Sequence, residues 1–252
     1  PCYQNGSYHD SLNEGNDWDA GDHFLQLSNR EEELIDLVTS NFDNVIVVYN
    51  GANAFEMGWV KDYPQIKGVL LCPGTGQSGF EGFGRVVAGE VNPSGRTADT
   101  YVTDLTASPW WNNFGDFKYT NASEFNSNAS MFDPEGTTPS FVNYVEGIYV
   151  GYKFYETAAD EGLIDYDKEV VYPFGYGLSY TTFAYSDLKA DADKVTFTIT
   201  NTGSRAGAEI AQLYVAKADA AVFRPEKELK GFAKVFLQAG ECKTVTIPLD
   251  DK

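Results

Sequence analysis

The sequence predicts two domains of different class, an α/β sandwich over residues 1–180 and an all-β sandwich over residues 181–252. Three observations support this prediction. Short β-branched runs alternate with helical apolar spacing in the first half, which is typical of a mostly parallel sheet with helices on both faces. In the second half, apolar and polar residues alternate strictly between turn signals. Between the halves lies Val170–Phe183, a segment rich in aromatic rings and glycine.

This joining segment has the composition of a packed hinge. Gly175 and Gly177 permit backbone angles that other residues avoid, and Pro173 fixes its own. Aromatic rings supply apolar area, whereas a flexible linker is rich in serine and glycine and poor in rings. We therefore expect the segment to hold the two domains in a fixed arrangement.

Composition and charge limit the classes of function. The chain has 252 residues, 42% hydrophobic and 15% aromatic, which is enough for sizeable cores. Its 37 acidic and 18 basic residues give a formal net charge of −19, which argues against a nucleic-acid partner because phosphate binding needs a basic surface. No apolar run reaches the roughly 20 residues of a membrane-spanning helix, and the amino-terminal residues lack a signal-peptide pattern. These features suit a neutral ligand such as a sugar, although most of the rings belong to cores.

The first 27 residues predict a polar loop with an unusual density of acids. The sequence around these acids also contains His9, Trp18 and His23. The acids are Asp10, Glu14, Asp17, Asp19 and Asp22. One interpretation is a solvated acidic loop. The other is a sugar-binding loop, since loops carry function and an indole beside carboxylates suits a carbohydrate.

Alternating helices and strands follow. Ser28 to Glu31 form a capping box that starts a helix over 29–40, and the β-branched run 45–49 predicts a buried parallel strand. A helix over 53–62 and a second buried strand over 68–72 complete a right-handed crossover. The loop 73–79 is rich in glycine and leads into a helix over 77–88. It lacks the Gly-Lys-Ser/Thr ending of a phosphate-binding loop, so we reject that function.

The rest of the first half is less regular. Asn92–Gly95 predicts a structural turn. Residues 103–140 have no periodicity and contain Trp110-Trp111, which favours a packed excursion towards the rim of an active site. Glu146 begins a run of alternating apolar residues that predicts a strand up to position 152. We expect Glu146 to accept hydrogen bonds that stabilise the domain junction. Alternatively, it shapes a catalytic pocket by supporting the residues that line it.

The second half predicts an antiparallel sandwich. From Thr182 to the last residue about five strands are accounted for, and alternating runs lie over 195–200, 209–215, 229–237 and 244–247. A sandwich of this type has about seven, so we expect the all-β domain to be truncated in this chain, with its remaining strands elsewhere. Three widely spaced cysteines predict neither a disulfide framework nor a metal site, and no cofactor is expected.

Five segments, in order along the chain, resemble glycoside hydrolase family 3, the β-glucosidase and β-xylosidase family. They are Asn92-Pro-Ser-Gly-Arg96, Tyr144-Val-Glu-Gly-Ile-Tyr-Val-Gly-Tyr-Lys-Phe-Tyr155, Pro173-Phe-Gly-Tyr-Gly-Leu-Ser-Tyr-Thr-Thr-Phe183, Asn201-Thr-Gly-Ser-Arg-Ala-Gly-Ala-Glu-Ile-Ala-Gln-Leu-Tyr214 and Arg224-Pro-Glu-Lys-Glu-Leu-Lys-Gly-Phe232. The resemblance implies an α/β sandwich domain followed by a fibronectin-III-like domain. It also implies a retaining mechanism with an Asp nucleophile on a TIM barrel, which is absent from this chain and would be its partner. The implied substrate is a β-glucoside or an oligosaccharide.

The resemblance also implies a catalytic residue. Many family members carry a Gly-Glu-Gly triplet whose Glu is the general acid/base, and Ser11-Leu-Asn-Glu-Gly15 aligns with it, with Asn13 in place of the first glycine. Glu14 is therefore the candidate, with Asp17 or Asp10 next. The loop 73–79 departs from the family's Pro-Gly-Gln-Glu-Gly-Gly by lacking the acid. Two alternatives stay open: a β-xylosidase of the same family, and a non-catalytic carbohydrate-binding or scaffold module.

Overall fold

The computed structural model describes residues 17–19, 21–23, 25–113, 117, 119–121, 124 and 141–249. They divide into two compact units. The first unit consists of Pro1–Val47, Asn53–Val69 and Val102–Val150, and the second of Val48–Ala52, Leu70–Tyr101 and Gly151–Lys252. The second unit thus takes residues from both predicted domains, and the domain boundary after residue 180 stays a prediction.

The first helix begins where the sequence predicts. Helix α1, Asn29–Asn41, has Ser28 as its N-cap, and the Ser28 hydroxyl accepts a hydrogen bond from the Glu31 N–H at 3.4 Å. The Glu31 carboxylate accepts from the Ser28 N–H at 2.9 Å, which completes the capping box. Leu34 and Leu37 in the apolar stripe of this helix are 58% and 64% exposed.

Two parallel strands form the small sheet of the α/β half. Strand β1, Val45–Tyr49, pairs with β2, Ile66–Leu71. The first residue of β1 donates to the residue before β2 at 2.9 Å, and the residue after β2 donates to the last residue of β1 at 2.8 Å, so the strands run in the same direction. Ile46 and Val48 are exposed, so the prediction that β1 is buried on both faces is wrong.

The helix predicted over 53–62 is mostly absent. A single 3₁₀ turn forms at Gly58–Asp62. The N–H groups of Glu56 and Met57, which precede it, donate to carbonyl groups distant in the sequence at 2.8 and 3.0 Å. Because these N–H groups are already bonded elsewhere, they are not available for helical hydrogen bonds.

The helix predicted over 77–88 is present with slightly shorter bounds. It is α2, Phe80–Val87, and it follows the glycine-rich loop. The remaining elements before the all-β half are β3, Tyr101–Val102; α3, Tyr152–Asp160; α4, Tyr166–Glu169; and β4, Val170–Tyr172, with 3₁₀ turns at Leu105–Ala107 and Trp111–Asn113.

The strand predicted over 146–152 does not form. Residues 145–148 form turns, and α3 begins at the end of the predicted strand. Gly147 and Gly151 both have a φ of 56°, which interrupts an extended backbone. Ile148 and Val150, which gave the alternating pattern, are each 54% exposed.

The aromatic segment Val170–Phe183 is packed, as predicted. The rings of Tyr172 and Tyr176 stack with centroids 5.6 Å apart. Gly175 has a φ of 79°, and its carbonyl accepts a hydrogen bond from the Gln212 side chain at 2.9 Å. This segment therefore binds directly to the all-β half within the second unit.

The turn Asn92–Gly95 and the following arginine also bind the all-β half. The Asn92 amide donates to the Ala206 carbonyl at 3.0 Å. The Arg96 guanidinium lies 2.6 Å from the Glu209 carboxylate, and both side chains are only 12% exposed. These contacts give the turn the structural role that its composition predicts.

Five strands build the all-β half within residues 183–249, all of which are described. They are β5, Phe183–Ala190; β6, Lys194–Asn201; β7, Gly207–Val215; β8, Glu228–Leu237; and β9, Cys242–Pro248. One antiparallel sheet has the order β5-β6-β9, and β7 pairs with β8 in the other. Alternate residues of β6 and β9 point into a shared core, whose buried members are Val195, Phe197, Ile199, Ala211, Leu237, Val245 and Ile247.

Candidate functional site

The predicted catalytic residue belongs to the acidic loop, by which we mean residues 10–22. Glu14 and the alternative Asp10 lie outside the described residues. The structure does describe the end of the loop, which contains Asp17, Asp19 and Asp22. Their contacts show which of the loop's carboxylates already have structural partners.

Asp17 binds the start of helix α1. Its carboxylate accepts a hydrogen bond from the Arg30 N–H at 3.1 Å and lies 3.6 Å from the Arg30 guanidinium. Its carbonyl accepts from the Asn29 N–H at 2.8 Å. A carboxylate at a helix amino terminus is stabilised by the helix dipole and by the free N–H groups there. Asp17 therefore has a structural role in fixing the end of the acidic loop.

Asp19 and Asp22 close a local turn. The Asp22 carboxylate accepts from the Asp19 N–H at 2.7 Å, and the Asp22 N–H donates to the Asp19 carbonyl at 3.1 Å. The Asp19 carboxylate also accepts from the Asn29 side chain at 3.4 Å. These two acids therefore shape the loop where it approaches α1.

A buried histidine follows immediately. His23 is 4% exposed, and its Nε2 lies 3.2 Å from the Glu56 carboxylate, which is itself 15% exposed. Its Nδ1 accepts a hydrogen bond from the Leu25 N–H at 3.3 Å. Both ring nitrogens thus have partners, and because Nδ1 is an acceptor, the ring proton lies on Nε2 and is donated to Glu56.

The tryptophan pair packs against this histidine. The Trp111 ring lies 4.7 Å from the His23 ring at an interplanar angle of 53°, and the Trp110 ring lies 5.8 Å from Trp111. The prediction of a packed excursion is confirmed for this part of residues 103–140. Its approach to the rim of an active site stays a prediction.

Glu146 has a well-defined partner. Its carboxylate accepts a hydrogen bond from the Asn113 side chain at 2.5 Å, and Asn113 is 1% exposed. The Asn113 side-chain oxygen accepts from the Val145 N–H at 3.2 Å. Glu146 thus fixes the turn that contains it to the 3₁₀ turn Trp111–Asn113.

Sequence reasoning noted His23 only as a residue beside the acidic loop, and it missed Glu56 and Asn113. Glu56 does carry a signal, because it is a single acid within the otherwise apolar run Ala54 to Met57. An isolated carboxylate among apolar residues needs hydrogen-bond partners when the segment is buried. The sequence does not reveal which residues those partners are.

The described residues contain neither a metal-binding cluster nor a membrane-spanning helix. Among the described residues, no group of three His, Cys, Asp or Glu side chains is arranged to hold a metal ion. No helix in the described part of the chain is both long and apolar enough to cross a bilayer.

Comparison with known proteins identifies the family. The family model described as "Glycosyl hydrolase family 3 C-terminal domain" matches residues 7–180, and the one described as "Fibronectin type III-like domain" matches residues 209–252. The chain belongs to glycosyl hydrolase family 3. The predicted fold class is thereby confirmed, since the chain consists of the family's C-terminal α/β sandwich domain followed by a fibronectin type III-like domain.

Sequence relatives within the family are glycosidases. The chain is 36% identical over 236 residues to thermostable beta-glucosidase B of Acetivibrio thermocellus, and 36% identical over 234 residues to an exo-alpha-(1->6)-L-arabinopyranosidase of Bifidobacterium longum. Each alignment covers 90% of this chain and 27% of the relative. The chain thus spans about a quarter of the length of these relatives.

Solved structures agree with the sequence relatives. Beta-glucosidase 3B of Thermotoga neapolitana in complex with glucose superposes with a TM-score of 0.72 at 33% identity, over 89% of this chain and 29% of that protein. The GH3 beta-glucosidase of Bifidobacterium adolescentis superposes with a TM-score of 0.70 at 36% identity, over 90% of this chain and 30% of that protein.

Proposed function

We propose that this chain is the part of a retaining β-glycosidase that supplies the general acid/base, Glu14. The complete enzyme would hydrolyse terminal non-reducing β-D-glucosyl residues, and the Asp nucleophile would lie on a TIM barrel outside this chain. The observation that supports this proposal most strongly is the similarity to β-glucosidases over 90% of the chain. Fold alone would not specify an activity.

The contacts of the acidic loop support Glu14 within this proposal. Asp17 is bound to the start of α1, and Asp19 and Asp22 are bound within their turn. The three loop carboxylates that the structure describes therefore have structural partners, which counts against Asp17 as the acid/base. Glu14 occupies the position of the family's Gly-Glu-Gly triplet.

The proposed reaction has two steps. In the first, the Asp nucleophile attacks the anomeric carbon while Glu14 donates its proton to the departing glycosidic oxygen, which gives a covalent glycosyl-enzyme. In the second, Glu14 as carboxylate takes a proton from water, which attacks the anomeric carbon and releases the Asp. The two carboxyl groups need a separation of about 5 Å in a retaining enzyme.

Replacing Glu14 tests the proposal. In the complete enzyme, Glu14→Ala should reduce turnover of phenyl β-D-glucoside by about 100- to 10,000-fold, because its leaving group needs protonation. Turnover of 2,4-dinitrophenyl β-D-glucoside should fall far less, and azide should restore part of the rate. Asp22→Asn, which removes a charge from the same loop, is the matched control and should not show this dependence on the leaving group. Unchanged turnover of both substrates by Glu14→Ala would reject the assignment.

The arabinopyranosidase relative favours a second candidate activity. Its identity to this chain equals that of the β-glucosidase at 36%, so similarity here does not select the sugar. Comparing kcat/KM on 4-nitrophenyl β-D-glucoside, β-D-xyloside and α-L-arabinopyranoside separates these candidates. The same assay on this chain alone, where we expect no hydrolysis, followed by addition of the barrel, distinguishes the proposed function from a non-catalytic carbohydrate-binding or scaffold module.

A further inference from the structure

An exposed apolar surface lies on residues 141–150, which we call the 141–150 face. Single exposed apolar residues are normal on a protein surface, whereas a dense group of them is typical of a contact with another protein part. Tyr144 is 72% exposed and Val145 is 60% exposed. The large hydrophobic residues exposed on this face are Phe141, Val142, Tyr144, Val145, Ile148 and Val150.

The 141–150 face also lacks the charge that covers the rest of the chain. Charged residues make up 22% of the sequence, and the formal net charge is −19. Within these ten residues Glu146 is the only charged one, and its carboxylate accepts a hydrogen bond from the Asn113 side chain. The face can therefore be buried against another apolar surface without desolvating an unpaired ion.

Hydrogen bonds fix the backbone of the face to the interior of the first unit. The Asn143 N–H donates to the Asn113 carbonyl at 3.1 Å, and the Val145 N–H donates to the Asn113 side-chain oxygen at 3.2 Å. The Phe141 N–H donates to the Phe117 carbonyl at 3.1 Å, and these two rings stack with centroids 5.5 Å apart. Because Asn113 is almost fully buried, the exposed side chains project from a preformed backbone. Such preorganisation lowers the entropy cost of docking.

The size of the face indicates a partner on the same polypeptide. Stable interfaces between separate proteins involve roughly 20–30 residues on each side, which is at least twice the length of this segment. A linked part of the same polypeptide meets the face at a high effective concentration, so a smaller contact suffices. The chain spans 27% of the length of its β-glucosidase relative and 29% of beta-glucosidase 3B, so most of each of these enzymes has no counterpart in it.

We propose that the 141–150 face docks on the part of the complete enzyme that carries the Asp nucleophile, an inference that rests on the proposed function. That function needs two carboxyl groups about 5 Å apart on separate parts of the enzyme, so the two parts must be held rigidly. The face meets this need, because burial of its side chains stabilises the contact and its fixed backbone sets the geometry. The surface that it contacts is expected to be apolar as well.

Cysteine labelling tests whether the face is covered. Tyr144→Cys and Ile148→Cys place a thiol on the face, and Leu188→Cys is the matched control, because Leu188 on β5 is 72% exposed, as Tyr144 is. Each variant is treated with N-ethylmaleimide, both as the 252-residue chain and as the complete enzyme, and labelled peptides are quantified by mass spectrometry. The two thiols of the face should react at least about 10-fold more slowly in the complete enzyme, because a covered thiol reacts only when the contact opens. The control should react at the same rate in both.

Photocross-linking identifies what covers the face. Replacing Tyr144 with p-benzoylphenylalanine in the complete enzyme places a photoreactive group on the most exposed residue of the face. The cross-linked peptide should come from the barrel that carries the nucleophile. A cross-link to a second copy, or to another residue within these 252, would overturn the proposal.

The outcomes separate this inference from the proposed function. Face thiols that react equally fast in the chain and in the complete enzyme would overturn the docking role. Protection already present in the 252-residue chain would also overturn it, since the face would then be covered from within the chain or by a second copy. Neither result involves Glu14, so the acid/base assignment is decided separately by Glu14→Ala. Protection found only in the complete enzyme, together with a cross-link to the barrel, would support the docking role even if Glu14→Ala left turnover unchanged.

Discussion

Single polar residues in this protein stabilise whole turns. Asn201 is fully buried, and its side-chain oxygen accepts from the Thr181 hydroxyl at 2.7 Å and from the Gly203 N–H at 3.1 Å. Its amide group donates to the carbonyl groups of Arg205 and Leu237 at 2.8 and 3.2 Å. An amide has two donors and two acceptor lone pairs, and no other side chain of similar size matches this set. Asn201 therefore holds the turn that follows β6 through four hydrogen bonds.

Glu228 should make stability depend on pH. Its carboxylate lies 3.1 Å from Arg224, 3.3 Å from Lys153 and 3.5 Å from Lys230. The hydrogen bond from Arg224 first, and then that from Lys153, holds the pKa of Glu228 below its ordinary value despite partial burial. Because the folded state lowers this pKa, the stabilisation is complete above the ordinary carboxyl pKa of about 4.3 and is lost as the pH falls through the lowered value.

Glu228→Gln should therefore lower the melting temperature at pH 7 by about 2–4 °C, and the difference from wild type should shrink as the pH falls below about 4. Thermal unfolding followed by circular dichroism across this range measures it. Glu226→Gln is the matched control. It removes the same charge two residues before Glu228, and the Glu226 side chain forms no ion pair with the described residues. A difference for Glu228→Gln that persists unchanged to pH 3 would contradict the expectation.

At the scale of elements, the joining segment depends on one glycine. Gly175 has a φ of 79°, and a Cβ built on it would collide with the Gln212 side chain that donates to its carbonyl. Gly175→Ala should lower the free energy of unfolding by about 1–3 kcal/mol, because it combines left-handed strain with displacement of that amide.

Urea unfolding of Gly175→Ala measures this loss, and Gly82→Ala provides the control. Gly82 lies within α2, has no positive φ, and has open space where a Cβ would lie. Alanine there should raise stability by up to about 1 kcal/mol. If both variants were as stable as wild type, the role assigned to Gly175 would be wrong.

The sequence predicted elements best where periodicity and burial coincide. Strands β6 and β9 follow their alternating runs because one face of each lies on the core. The alternating apolar residues before α3 led to a wrong strand prediction, because Ile148 and Val150 are exposed and the glycines beside them have positive φ. The helix expected over 53–62 was lost to long-range hydrogen bonds at Glu56 and Met57, which local propensity does not encode.

The candidate site was less accessible to sequence reasoning. A family motif pointed to Glu14, which the described residues do not include. The partners of His23 are 33 and 88 positions later, at Glu56 and Trp111 (56 − 23 and 111 − 23), so only the fold brings them together. The role of Asp17 was not predictable either, because its contact with the Arg30 N–H spans 13 residues and the local rules of helix capping do not reach that far.

For the molecule as a whole, the largest electrostatic feature is the excess of acids. The formal net charge is −19 on 252 residues, so the excess carboxylates repel one another. This repulsion opposes a compact state. Salt screens it, because the Debye length falls from about 30 Å at 0.01 M to about 8 Å at 0.15 M. Salt also weakens exposed ion pairs, but the pair of Arg96 and Glu209 is only 12% exposed and is screened less.

Stability should therefore rise with ionic strength. Raising KCl from 10 to 150 mM at pH 7.5 should increase the temperature of the first unfolding transition by several degrees. The reason is that screening the repulsion among the excess carboxylates stabilises the protein more than weakening the ion pairs destabilises it. At pH 5.5, nearer the isoelectric point of about 4.3, the same change in salt should have a smaller effect. Scanning calorimetry at both pH values measures the two slopes. A melting temperature that falls with salt at pH 7.5 would mean that the ion pairs, and not the net charge, dominate the electrostatics of this protein.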